Sequence, residues 1–254
     1  MTLAHDVTGD GPSTVLLLHS GVCDRRMWDA QFDALAAAGH RVVRCDLRGF
    51  GDSPVDRPHL HADDVAGLLD GLGAERAALV GSSFGGEVAL EFAVRHPGRA
   101  TALALLCAAA PVGHEAGPEL RAFFGRENAL LEAGELDAAA ELNAGFWLGP
   151  EADDDTHALV RRMQRRAFAL QLAAAEEHEA RPAGVTEAQL AAVDVPVLAV
   201  TGGHDVPDFR TLADRLATLI PRTRRLDLDW AGHLPSLERP EEISALLADF
   251  LDRP

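Results

Sequence analysis

The chain contains no lysine, so all 23 of its basic residues are arginine. That excludes Schiff-base catalysis, a P-loop lysine and a kinase-type lysine. Tyrosine is missing too, which removes a phenol as general acid. The three cysteines, Cys23, Cys45 and Cys107, are an odd count without metal-ligand spacing, which argues against a disulfide framework and for free thiols. No stretch approaches the roughly 18 consecutive apolar residues that span a bilayer. The first residues carry neither a basic nor an apolar signal region, so the expected compartment is the cytoplasm. Positive charge is in deficit: a net charge of −17 repels nucleic acid and anionic lipid, which bind through a basic face. Neither is expected as a partner, and a small molecule is the expected substrate. Hydroxyl, carboxylate, imidazole and thiol groups remain to do chemistry.

With 254 residues the chain is long enough for one well-buried domain with an insertion. Short apolar runs at 13–19, 41–46, 77–82, 101–107, 195–201 and 223–227 read as strands. Several are nearly continuous in apolar residues, as befits a parallel sheet covered on both faces. Helical patterns at 27–38, 63–72 and 88–95 fall between them; the first two stop at Gly39 and Gly73, and the third before Pro97. This alternation predicts an α/β fold with a mostly parallel, doubly wound sheet. It then lapses. Between 111 and 194 no run resembles a strand, and 119–131, 135–147 and 156–178 read as helices. The expected organisation is therefore an α/β core from 1–110 and 195–254, with 111–194 inserted as a helical cap over the strand ends.

The strongest local signal is Gly81-Ser82-Ser83-Phe84-Gly85-Gly86. A Gly-x-Ser-x-Gly is common by chance in a chain with 23 glycines, but this one joins a predicted strand directly to a predicted helix. That is the setting of a nucleophile elbow, which lifts Ser83 clear of the sheet and places it at a helix N-terminus. Ser82 lacks the leading glycine, since Val80 stands there. A serine hydroxyl needs an adjacent base. Of eleven histidines, His233 follows the last strand and precedes the final helix, on the same sheet edge as Ser83. His40 lies at a helix end, His59 and His61 precede a helix, and His96 sits at the far end of the elbow helix. Asp205, at the carboxyl end of the strand 195–201, is the expected carboxylate partner of His233. Asp208 is expected to cap the helix 209–218. His19-Ser20-Gly21 follows the strand 13–19, where the amide of Gly21, or else Val22, can pair with that of Phe84 as an oxyanion hole. His19 itself is expected to bond backbone.

The order Ser83, Asp205, His233 is the α/β-hydrolase order. Together with His19-Ser20-Gly21, the segment Asp46-Leu47-Arg48-Gly49-Phe50-Gly51-Asp52-Ser53, Gly202-Gly203-His204-Asp205 and Gly232-His233, it resembles the α/β-hydrolase superfamily, specifically its small capped branch of carboxylesterases, enol-lactonases and cofactor-free perhydrolases. The resemblance implies a cofactor-free serine hydrolase that cleaves a small to medium ester or lactone through an acyl-enzyme, and a structural role for residues 46–53. Ser20 departs from the glycine usual in that branch. A carbon–carbon bond hydrolase with the same triad is an alternative and calls for a cationic anchor, for which Arg166 is a weak candidate; a non-catalytic binding member is another. Trp28, Phe123, Phe146 and Trp147 are further candidates for substrate contact, beside Phe124 and Phe168. A metal set of His59, His61, Asp63 and Asp64 is the remaining alternative, disfavoured because those residues more simply supply a loop and a helix N-terminus; no metal or cofactor is expected.

Overall fold

A computed structural model of the chain describes residues 3–174 and 184–253. Seven strands form one sheet in the order β1-β3-β2-β4-β5-β6-β7, comprising β1 (His5–Thr8), β2 (Thr14–Leu18), β3 (Arg41–Cys45), β4 (Ala77–Ser82), β5 (Ala100–Leu106), β6 (Val197–Gly202) and β7 (Thr223–Leu228). All neighbours pair in parallel except β1, which runs antiparallel to β3 at the edge. The central strands β4 and β6 are buried along their whole length. Their sequences therefore show no polar alternation: helices cover both faces. The edge strand β1 is absent from the sequence expectation. Its four residues, His-Asp-Val-Thr, carry no hydrophobic pattern, and its extended form rests on pairing with β3.

Helices α1 (Asp29–Ala37) and α10 (Pro240–Asp252) pack on each other, as do α2 (His61–Gly71) and α3 (Phe84–Arg95). Between β5 and β6 the described residues contain no strand. They form α4 (Pro118–Glu132), α5 (Leu136–Trp147), α6 (Asp154–Leu172) and the short α7 (Glu187–Ala191). The first three pack in sequence. The last, α7, lies against α3 and α8 (Pro207–Leu219), so the return to the core layer begins before β6. A four-residue helix, α9 (Pro235–Glu238), precedes α10.

Three expected boundaries move. A single 3₁₀ turn at Arg25–Trp28, capped by the Asp24 carboxylate, precedes α1. Helix α2 starts at His61, which therefore lies inside the helix. Helix α6 begins at Asp154, capped by the Asp153 side chain, and ends at Leu172; of the expected continuation, 175–178 lie outside the described residues.

Candidate active site

The elbow is built by close approach. A Cβ on Gly81 would stand 2.3 Å from the Gly85 carbonyl oxygen, and one on Gly85 would stand 2.2 Å from that of Leu18. Only glycine lets β4 turn into α3 and lets α3 lie this close to β2. Between them Ser83 holds φ +50° and ψ −115°, a region costly for a residue with a Cβ. Its backbone is fixed from several sides. Its amide donates to Leu106 (2.9 Å), and its carbonyl accepts from Gly86 (2.9 Å) and Ala109 (3.0 Å). Ser82 is fully buried and its hydroxyl has no hydrogen-bond partner.

His233 and Asp205 come together as the sequence expects. Nδ1 of His233 lies 2.8 Å from Oδ2 of Asp205, and both residues are buried. An imidazole that donates from Nδ1 to a carboxylate keeps Nε2 as its basic nitrogen. Phe209 and Trp147 flank the ring at 4.2 and 4.5 Å between centroids. The loop that carries His233 is held by Glu238, whose carboxylate accepts from the amides of Gly232 (2.9 Å) and Leu234 (3.3 Å). Burial raises the pKa of Glu238 above the usual carboxylate value, although the amides of Gly232, Gly149 and Leu234 oppose it. The insertion holds the same loop, because the Trp147 carbonyl accepts from the His233 amide (3.0 Å). Gly149 and Gly232 touch through backbone; a Cβ on Gly149 would lie 2.5 Å from the Gly232 nitrogen.

Asp208 corrects an expectation. It sits in the first turn of α8, whose N-cap is Val206, and so is not the cap residue. Its carboxylate instead accepts from His114 (2.8 Å) and from the Gly117 amide (2.6 Å), tying α8 to the residue before α4. Burial raises its pKa, but these bonds outweigh that and hold it below the usual range.

A cavity of about 380 Å³ opens onto Ser83 and His233. From the core it is lined by Ser20, Gly21, Val22, Phe50, Phe84, Ala109 and Phe209, and from the insertion by residues of α4, α5 and α6. Gly21 approaches Phe84 closely, since a Cβ there would lie 3.5 Å from the Phe84 Cβ. Behind them His19 is buried and neutral. Its Nδ1 donates to the Ser20 carbonyl (2.8 Å) and its Nε2 accepts from the Leu47 amide (2.9 Å), and burial lowers its pKa. His61, whose ring meets Phe84 edge-on at 5.0 Å, is pushed down to about 3 by burial and by His59. A second depression of about 400 Å³ lies at the amino ends of the parallel strands, near Val94, Pro97 and Val193, and among the described residues no serine, histidine or cysteine lines it.

Residues 13–240 match the family model described as alpha/beta hydrolase fold. The chain belongs to this family. It is 30% identical to a pimeloyl-[acyl-carrier protein] methyl ester esterase of Neisseria meningitidis, over 96% of this chain and 94% of that one. It is 28% identical to a 2-hydroxymuconate semialdehyde hydrolase of a Pseudomonas species, over 98% and 90%. Among solved structures it resembles the enol-lactonase from Burkholderia xenovorans, with a TM-score of 0.81, 26% identity, and coverage of 99% of this chain and 96% of that chain. This α/β hydrolase is thus an enzyme of the hydrolase class, and no helix among its described residues is long and apolar enough to cross a membrane.

In this hydrolase only part of the substrate-contact set expected from the sequence lines the cavity. Phe123 and Trp147 line the cavity, as do Phe124 and Phe168. Trp28 does not: it is fully buried in the core, in the 3₁₀ turn before α1. Phe146 stacks behind Phe123 at 4.2 Å without reaching the cavity wall. Arg166 turns away as well, donating to the Gly51 carbonyl and pairing with Asp52. Residues 46–53 form a tight loop around the buried Asp46, which accepts from the amides of Arg25 (2.8 Å) and Asp52 (2.8 Å). Of the alternative metal set, Asp63 pairs with Arg95 and His96, and Asp64 with Arg48 and Arg57. Sequence reasoning missed the polar lining residues Glu127, Asn143, Gln164 and Gln171. It also missed Cys107, held at φ +46°, whose thiol lies within 4.8 Å of the Asp205 carboxylate and the His233 ring. Burial and the Asp205 charge raise that thiol well above its ordinary pKa, so it stays protonated.

Proposed function

We propose that the enzyme hydrolyses a small to medium ester or lactone by a serine mechanism. Ser83 Oγ attacks the carbonyl carbon as His233 Nε2 removes its proton. Asp205 holds the imidazole and stabilises its cation. The amides of Gly21 and Phe84 receive the oxyanion; Phe84 is suited because it opens α3, where the first amides have no partner within the helix. The tetrahedral intermediate collapses to an acyl-serine, and the proton on His233 passes to the departing alkoxide. Water, deprotonated by His233, then attacks the acyl carbon and regenerates Ser83.

One observation carries this reading: a buried His233 bonded at 2.8 Å to Asp205 opens onto the same cavity as a serine strained at φ +50°. The enol-lactonase and methyl ester esterase named above point the same way. A carbon–carbon hydrolase is less well supported, because Arg166, its expected cationic anchor, is engaged at the loop of residues 46–53. The test is covalent. A fluorophosphonate mimics the acyl-transfer transition state once bonded to serine, and peptide mass spectrometry should find its adduct on Ser83 alone. An adduct on Ser82, or none despite catalysed ester hydrolysis, would overturn the assignment.

A further inference from the structure

The insertion's side of the cavity carries groups that the proposed chemistry does not use. Glu127 of α4, Asn143 of α5 and Gln164 of α6 all line it. Asn143 is buried and committed: its Nδ2 donates to Glu127 Oε1 (2.6 Å) and its Oδ1 accepts from Trp147 Nε1 (3.1 Å). Gln171 is committed as well, donating to the Gly49 carbonyl (3.3 Å). Gln164 differs. It is only 4% exposed, and its Oε1 is buried without a hydrogen-bond partner among the described residues. Leaving a buried amide oxygen unpaired is costly, and an aliphatic side chain at this position would avoid the cost. The position is therefore explained by a group that enters the cavity and bonds the amide once the Gln164 terminal group turns its Oε1, sealed here, toward the space.

The chemistry of the wall narrows that group. An amide offers both a donor and an acceptor, so it matches a hydroxyl or another amide better than an ammonium, which only donates, or a carboxylate, which only accepts. Charge agrees. Among the described residues no arginine lines the cavity, and the ionisable lining groups are Glu127 and His233, so of these groups a substrate carboxylate would meet Glu127 with no cation beside it. Burial raises the pKa of Glu127, although its bond to Asn143 opposes this.

We infer that Gln164, with the Glu127–Asn143 pair, forms a polar subsite for a neutral hydroxyl or amide on the ester or lactone substrate, and that the site rejects carboxylates. The inference rests on the serine-hydrolase reading above. The test compares p-nitrophenyl esters of matched chain length that end in methyl, hydroxyl, primary amide or carboxylate. The hydroxyl- or amide-ended ester should exceed both the methyl- and carboxylate-ended ones roughly tenfold in kcat/KM. Gln164→Met should bring the first ratio close to one, and Glu127→Gln should raise the carboxylate-ended ester relative to the rest. Ratios within one variant do not depend on how much of it is folded, and the wild-type series alone decides if a variant fails to fold. Preference for the methyl- or carboxylate-ended ester, with turnover lost in Ser83→Ala, overturns the subsite and leaves the hydrolytic reading standing. An unchanged ratio in Gln164→Met overturns the role of Gln164. No Ser83-dependent turnover of any member overturns both.

Discussion

Ser83 holds a backbone conformation that costs a residue with a Cβ on the order of 1–3 kcal/mol, and glycine adopts it freely. Ser83→Gly and Ser83→Ala should both abolish activity if Ser83 is the nucleophile, yet they should differ in stability. The glycine variant should be the more stable by about 1 kcal/mol, after its larger entropy loss on folding is counted. Equal melting temperatures would mean that the elbow is relaxed. The two carboxylates at β6 and α8 also separate. Asp205→Asn should lower kcat by roughly 10³–10⁴-fold, because the imidazole loses its orienting acceptor and its charge partner. Asp208→Asn should leave kcat within a fewfold and cost stability on the order of 1–2 kcal/mol, since it weakens the bonds to His114 and Gly117. Kinetics and thermal unfolding of the two variants check this; a larger kcat loss in Asp208→Asn would transfer the orienting role to it. At this scale the positions of Ser83 and Asp205 are legible in the sequence because each follows a fully buried strand at its carboxyl end, and that of His233 because it lies between the edge strand β7 and the final helices. Trp28 is misread because an aromatic residue beside a loop looks the same whether its ring faces the cavity or the core.

Helix α3 carries a second, quieter tension. Glu87 and Glu91 stand four residues apart on it. Burial, and then the charge of Glu87, push Glu91 up to about 7, against the pull of Arg95. Burial alone raises Glu87. The folded state therefore keeps a proton on Glu91 that the unfolded chain, near its ordinary value of 4.5, has already released. The unfolded state binds fewer protons across this window, so stability falls as pH rises from about 4.5 to about 7. Glu91→Gln should raise the melting temperature more at pH 8 than at pH 5; the same gain at both would remove the titration from the account. The element scale also shows why the cavity wall eluded sequence reading. Phe123 and Glu127, Asn143 and Trp147, and Gln164, Phe168 and Gln171 each share a helix face at spacings of three or four. That periodicity marks a face as facing inward, but it does not separate a face that packs on protein from one that borders space. In α6 the apolar positions Leu159, Met163, Ala167 and Leu170 form a stripe beside the line of Gln164, Phe168 and Gln171.

Taken whole, the molecule carries Ser83, Asp205 and His233 on loops at the carboxyl ends of sheet strands, while the residues between β5 and β6 line half the cavity. The division is incomplete at one place. Glu238→Gln would leave one amide of the His233 loop facing a donor instead of an acceptor, and it should lower kcat roughly 10–100-fold by displacing the imidazole, with a smaller change in KM. A change confined to KM would show that the loop holds its place without Glu238. The insertion grips this loop too, through the Trp147 carbonyl and the contact of Gly149 with Gly232. That contact bears on descent. Helices α4 and α6 give the cavity side chains, and α6 reaches the loop of residues 46–53 through the side chains of Arg166 and Gln171. Whatever replaces α5 must bring a carbonyl where Trp147 stands and a bare Cα where Gly149 stands, or the base goes out of place. The segment that lines half the cavity is thus inherited together with part of the support of the His233 loop, and a recombinant that takes a new one should keep its activity only if it inherits that junction intact.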